Sequence, residues 1–158
     1  MTPRTMDNHS TSDPTVFTFF GEIGVIDQLA TNLMERYLPK GLTLPQFSVL
    51  DHFVRRDGEH TPFELARAFQ VTKGAMTNTL KKLERHGFIS VKDDPSDGRR
   101  KLVSITDAGR EARHVSVEKL RPVAAMVSDR FQATDLEGFL PMLRDIRQYL
   151  DENRVVPH

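Results

Sequence analysis

Apolar residues recur at helical spacing in three stretches of the chain: Phe19, Ile23, Ile26, Leu33 and Tyr37; Phe47, Leu50 and Val54; and Leu136, Phe139, Leu143, Ile146 and Leu150. Each stripe predicts a helix with one face against a core or a partner. Thr43-Leu-Pro-Gln46, Thr61-Pro-Phe-Glu64 and Thr134-Asp-Leu-Glu137 have the form of capping boxes, in which a Thr hydroxyl accepts from the third helical amide and Glu or Gln reaches back. Thr72 and Thr106 read as simpler N-caps, so threonine marks five expected helix starts. Residues 88–92 and 101–105 alternate with period two around the turn-forming run Asp93-Asp-Pro-Ser-Asp-Gly98, which predicts a short hairpin. Pro122 and Pro141 fall inside the last two helices, where a kink or break is expected. The expected fold is mainly α with one small β-hairpin.

The order from 61 to 105 is a helix over 62–69, a tight turn at Gln70-Val71, a helix over 73–86 and the hairpin. These are the parts of a winged helix-turn-helix. At about 100° per residue, Met76, Leu80 and Leu83 share one side of the second helix. Gly74, Asn78, Lys81 and Arg85 centre on the other, with Thr77 at its edge. That outward set suits a major groove: Asn pairs bidentately with adenine, Lys donates to guanine or phosphate, and a Thr methyl meets the thymine methyl. Gly74 permits close backbone approach, and the helix start at Thr72 and Lys73 offers free amides to a phosphate. An amphipathic helix with polar residues outside is also what any surface helix shows.

Charge changes the picture where composition does not. The 158 residues are 38% hydrophobic and carry 22 basic against 22 acidic residues, a balance that excludes a polybasic arm or an acidic tail. From Arg67 to Arg113, however, eleven basic residues face six acidic ones. A basic middle between acidic flanks points to a polyanion-binding segment on a scaffold that does not touch the polyanion. The absence of cysteine excludes disulfides, thiolate zinc sites and thiol nucleophiles. No run approaches the ~18 apolar residues of a spanning helix, and residues 1–14 lack a signal-peptide pattern and read as a disordered tail. No membrane association and a cytoplasmic location are therefore expected.

Leu65-Ala66, Val71-Thr72, Met76-Thr77, Leu80, Leu83 and Glu84-Arg-His-Gly-Phe-Ile89 resemble the winged helix-turn-helix of the MarR family of bacterial transcriptional regulators. Asp97-Gly-Arg99-Arg-Lys-Leu-Val-Ser-Ile-Thr106-Asp-Ala-Gly109 is similar to that family's wing signature, D-x-R, an alternating strand, then L-T-x-x-G. Two departures stand out: Lys92 where the family often has Arg, which exchanges a fork for a point charge, and Ile105 for Leu, a mild packing swap. In such a wing Arg99 sits at the hairpin tip and enters a minor groove, Asp97 holds its guanidinium in a bidentate pair, and Arg100 and Lys101 neighbour phosphates.

The resemblance, spanning about residues 15–153, implies a winged helix-turn-helix DNA-binding lobe over 41–106 and a helical dimerisation region from both termini, 15–40 and 107–153. The apolar residues at the two ends exceed what the small lobe can cover, which fits a homodimer. A dimer of this kind reads double-stranded DNA as a pseudo-palindromic operator with half-sites ~10 bp apart. The resemblance also implies a regulator, of repressor type, released by a small aromatic or phenolic effector. Candidate liners are Tyr37, Phe47 and His52, with Arg55 or Arg56 as carboxylate partners, although helical spacing already explains each. No cofactor is expected. The six histidines share no ligand-like spacing, and G-x-S-x-G, H-E-x-x-H and Gly-rich phosphate loops are missing, so an enzyme is disfavoured. A winged helix used for protein contact without specific DNA binding is the alternative.

Overall fold

A computed structural model describes residues 14–154. Six helices and one hairpin follow in the order α1 (Pro14–Tyr37), α2 (Leu44–Arg55), α3 (Pro62–Phe69), α4 (Lys73–Arg85), β1 (Ile89–Asp94), β2 (Asp97–Ile105), α5 (Asp107–Arg130) and α6 (Ala133–Glu152). The tail expected over 1–14 lies outside the described residues except for Pro14, which already begins α1.

The core belongs to the middle of the chain. Val49, Leu50 and Phe53 of α2, Leu65 of α3, Met76, Leu80 and Leu83 of α4, Ile89 of β1 and Val103 of β2 are buried together. The stripes of α2 and α4 and the alternating residues of the hairpin therefore point into one shared cluster, while those of α1 and α6 do not. β1 and β2 pair antiparallel from Ile89↔Ile105 to Asp93↔Lys101. A single bridge from His60 to Val103, with N–H···O distances of 3.0 and 2.9 Å in the two directions, adds a third short edge and ties the α2–α3 loop to the wing.

Four of the five threonine starts hold. Thr61 forms a complete capping box: its hydroxyl accepts from Glu64 N–H at 3.2 Å, and Glu64 Oε2 accepts Thr61 N–H at 2.7 Å. Thr43 donates its N–H to Gln46 Oε1 at 3.1 Å, and the hydroxyls of Thr72 and Thr106 accept from Ala75 and Gly109 N–H, each at 3.1 Å. Thr134 fails as a cap. The cap of α6 is Gln132, in extended conformation with φ −68° and ψ 147°, so Thr134 lies inside the first turn. Phe131, which closes α5, is also extended, and the chain reverses over these two residues before the box can be used.

Neither proline breaks its helix. Of the kink or break expected at each, the break is absent: α5 runs unbroken through Pro122 and α6 through Pro141. Both prolines stand on exposed faces, where the carbonyl a proline frees can turn to water.

The joint between wing and α5 is close-packed. Gly87 takes φ 73° and closes α4, its N–H donating to Glu84 O at 2.8 Å while Phe88 N–H donates to Leu83 O at 3.0 Å. Thr106 then binds back to this turn, its N–H to Phe88 O at 3.1 Å and its hydroxyl to Gly87 O at 2.7 Å. Gly109 sits beneath it so tightly that a Cβ there would lie 2.0 Å from Phe88 O.

Candidate nucleic-acid interface

α3 and α4 are joined by a turn without glycine: Gln70 adopts the left-handed conformation, φ 55° and ψ 39°, and Val71 N–H reaches back to Ala66 O at 3.1 Å. This turn seats α4 on the core through Met76, Leu80 and Leu83. Its opposite face carries Lys73, Gly74, Asn78, Lys81 and Arg85, all exposed, with Thr77 half-buried at the edge. Thr72 is spent as the cap, and the Thr77 hydroxyl donates to Lys73 O at 2.8 Å, leaving its methyl as the outward group. No carboxylate among the described residues pairs with Lys73, Lys81 or Arg85.

The wing treats its cations differently. Lys101 is paired to Asp93 across the hairpin, Lys92 to Glu59 at 2.6 Å, and Arg100 Nε stands 3.9 Å from Asp94 Oδ2. The register corrects the expected position of Arg99. Asp93 pairs with Lys101 but Asp94 with Asp97, so Gly98, Arg99 and Arg100 form a bulge on β2, and the tip is Pro95-Ser96. The expected turn over 93–98 is thus shorter, because the strands continue to Asp94 and from Asp97. Asp94 closes it, accepting the Ser96 hydroxyl at 2.7 Å and the Ser96 N–H at 2.9 Å, bonds that hold its carboxyl below the usual carboxylate range.

Arg99 projects from the bulge with 95% of its side chain exposed. Asp97 does not grip it bidentately. Asp97 Oδ1 accepts the backbone N–H of Arg99 at 3.1 Å, which fixes the bulge, and meets Arg99 Nε only at 3.5 Å. With only Oδ1 facing Arg99, Asp97 positions the backbone beneath it.

Of the five effector candidates, two come together: His52 and Arg56 line one cleft. Tyr37 is exposed at the end of α1, Phe47 packs against the core, and Arg55 pairs with Asp51 at 2.7 Å. The His52 ring also lies 5.3 Å from His60 and 5.4 Å from Phe69. Burial, then the neighbouring His60 and Arg56, pull its pKa below the usual 6.5, against a smaller opposing effect of Asp51.

Residues 40–100, which hold α2 to the wing, match the MarR family profile. The HTH-type transcriptional repressor Mb2911 of Mycobacterium bovis is 33% identical over 108 residues, 68% of this chain and 77% of the relative. The chain belongs to the MarR family. It is a transcriptional regulator of that family, and such regulators are not enzymes. The transcriptional repressor YetL of Bacillus subtilis is 27% identical over 79% of this chain and 76% of its own. Among solved structures, a mutant MarR from E. coli complexed with operator DNA superposes with TM-score 0.74 at 24% identity, covering 85% of this chain and 99% of that one. The PcaV regulator from Streptomyces coelicolor, in complex with its natural ligand, superposes with TM-score 0.73 at 18% identity, covering 94% and 98%. Both likenesses are of fold.

Within this MarR-family lobe, the contributions of Asp94 to the wing and of Gly109 to its base escaped the sequence reading. A small residue at a helix start carries no mark of what it touches. The turn-forming Asp-Pro-Ser was a usable signal for Asp94, since Asp two residues before an amide is the usual acceptor of an Asx turn.

Proposed function

We propose that the protein is a homodimeric, sequence-specific binder of double-stranded DNA that acts as a repressor in the cytoplasm. The observation that carries this reading is the outer face of α4, where Lys73, Asn78, Lys81 and Arg85 are exposed and the cations unpaired while the inner face is buried. Unpaired cations reach phosphates and base edges without first breaking an ion pair. α4 enters the major groove, Thr72, Lys73 and Gly74 meet a phosphate at its start, and Thr77, Asn78, Lys81 and Arg85 face bases and backbone. Arg99 enters the minor groove from the bulge, with Asp97 holding that bulge and Arg100 and Lys101 beside phosphates.

The dimer is supported by the outer helices. α1 and α6 have no buried residue, and Phe17, Ile26, Leu29, Phe139, Met142 and Tyr149 are each more than half exposed. Apolar surface on this scale in a single chain marks an interface. Two copies joined through the helical region, 15–40 and 107–153, present their lobes, 41–106, to half-sites ~10 bp apart. A small aromatic or phenolic effector that favours the wrong lobe spacing releases the operator, with Tyr37, Phe47, His52 and Arg55 as candidate contacts.

Fluorescence anisotropy with the DNA flanking its own gene against shuffled DNA, at several salt concentrations, tests the reading. Specific binding with a steep salt slope is expected, and Arg99→Ala weakens it by about 1–3 kcal/mol. Equal, weak binding of both duplexes by both proteins points instead to a protein-contact module.

A further inference from the structure

Three residues of the loop between α2 and α3 each bind a different element. Asp57 accepts from Arg110 Nη2 of α5 at 3.0 Å, and Glu59 holds Lys92 of β1 at 2.6 Å. His60 exchanges backbone bonds with Val103 of β2, donating its N–H at 3.0 Å and accepting at 2.9 Å, while its Nε2–H donates to Arg56 O at 3.2 Å. Gly58 permits this path with φ +113°, which strains any residue with a side chain, although a Cβ there would meet nothing within 4 Å. The Arg110 bond, then the Gly58 N–H, hold the Asp57 carboxyl below its usual range, so this end of the loop is charged at neutral pH.

Both wing strands are thus gripped from one loop, at adjoining points of the hairpin, since the register pairs Val91 with Val103 and Lys92 with Leu102. The wing is also latched at its base, where Thr106 and Gly109 meet Gly87 and Phe88. A stiff hairpin held at one point swings; held at two, its direction is fixed. Val103 lies two residues from the base at Ile105, about 7 Å along the strand, and Arg99 lies six, about 20 Å. An error of about 1 Å at the grip therefore becomes about 3 Å at Arg99. The two ion pairs are exposed and weak singly, so the backbone pair at His60 and the path set by Gly58 carry most of the hold.

We infer that residues 57–60 are a positioning clasp: with Gly58 setting its path, the loop orients the wing against α5 and so places Arg99 for DNA. The placement of Arg99 rests on the DNA-binding reading; the orientation of the wing does not.

The chain has no cysteine, so Pro95→Cys at the wing tip and Lys119→Cys on α5, both exposed positions, accept a pair of spin labels. Their separation is measured by double electron–electron resonance in the full chain without DNA, diluted with excess unlabelled chain. Gly58→Ala, and insertion of one glycine between Gly58 and Glu59, are each expected to shift or broaden the distance by about 3 Å. Gly41→Ala imposes the same kind of strain, at φ +87°, in a loop with no hydrogen bond or ion pair to the wing among the described residues, and leaves the distance unchanged. Circular dichroism confirms that the variants are folded. With the DNA flanking its own gene, Gly58→Ala weakens binding by about tenfold at an unchanged salt slope, because no phosphate contact is lost. Distances unmoved in both loop variants, or moved equally in Gly41→Ala, overturn the clasp. Unchanged affinity beside altered distances, or a salt slope reduced by about one phosphate, overturns its role toward Arg99. A wild type that does not bind this DNA counts against the DNA-binding reading, and the distances then judge the clasp alone.

Discussion

Gly109 shows how one hydrogen atom is written into the fold. With 2.0 Å between an added Cβ and Phe88 O, and 2.9 Å to the Ile105 side chain, alanine cannot enter without moving the wing away from α5. Gly109→Ala is expected to destabilise by about 2 kcal/mol or more, against the gain alanine normally brings inside a helix. A urea midpoint no lower than wild type would refute this. His52 gives a second residue-scale expectation. Its pKa lies below 6.5 in the folded chain, so between the two values the unfolded chain binds more protons. Its contribution to stability is complete above about pH 6.5 and falls as acid protonates the unfolded form first. Between about pH 7.5 and 5.5 the urea midpoint of wild type should drop, and that of His52→Gln should drop less.

At the scale of elements, the helix starts separate what sequence spacing can decide from what it cannot. Thr61 closes both halves of its box, while Thr134, in an equally good box, lies inside α6. Thr61→Ala should therefore cost about 1 kcal/mol and Thr134→Ala no more than a few tenths, measured by chemical denaturation. Equal costs would place the start of α6 at Thr134 after all. The α3–turn–α4 unit was legible because its signals are local: Pro62 after a capping Thr, a buried stripe of Met76, Leu80 and Leu83, and Thr72 before α4. The bulge that carries Arg99 was not, because Asp97 could spend its carboxylate on the Arg99 main chain or on the Arg99 side chain, and residue types do not choose between them. The unpaired state of Lys81 beside the paired state of Lys101 depends on distances between strands and helices, which spacing along a chain does not contain.

At the scale of the molecule, the lobe is fastened to the outer helices at a few polar points. Asp51 Oδ1 accepts from Arg113 Nε at 3.0 Å and Nη2 at 2.8 Å, and Asp57 accepts from Arg110 at 3.0 Å, so two positions around α2 hold α5. On the apolar surface of α6, Leu143 is 42% exposed. Leu143→Asp should convert the proposed dimer to a folded monomer, seen as a halved mass in sedimentation with the helical circular dichroism retained; an unchanged mass would exclude α6 from the seam. The latch of Thr106 and Gly109 onto Gly87 and Phe88 bears on this geometry. α5 has 24 residues, about 36 Å of helix anchored at one end. A difference of about 5° in its direction at that anchor corresponds to about 3 Å at the far end. The joint thus acts like the base of a pointer: the packing of one glycine and one threonine sets where the outer end of α5 stands relative to the lobe.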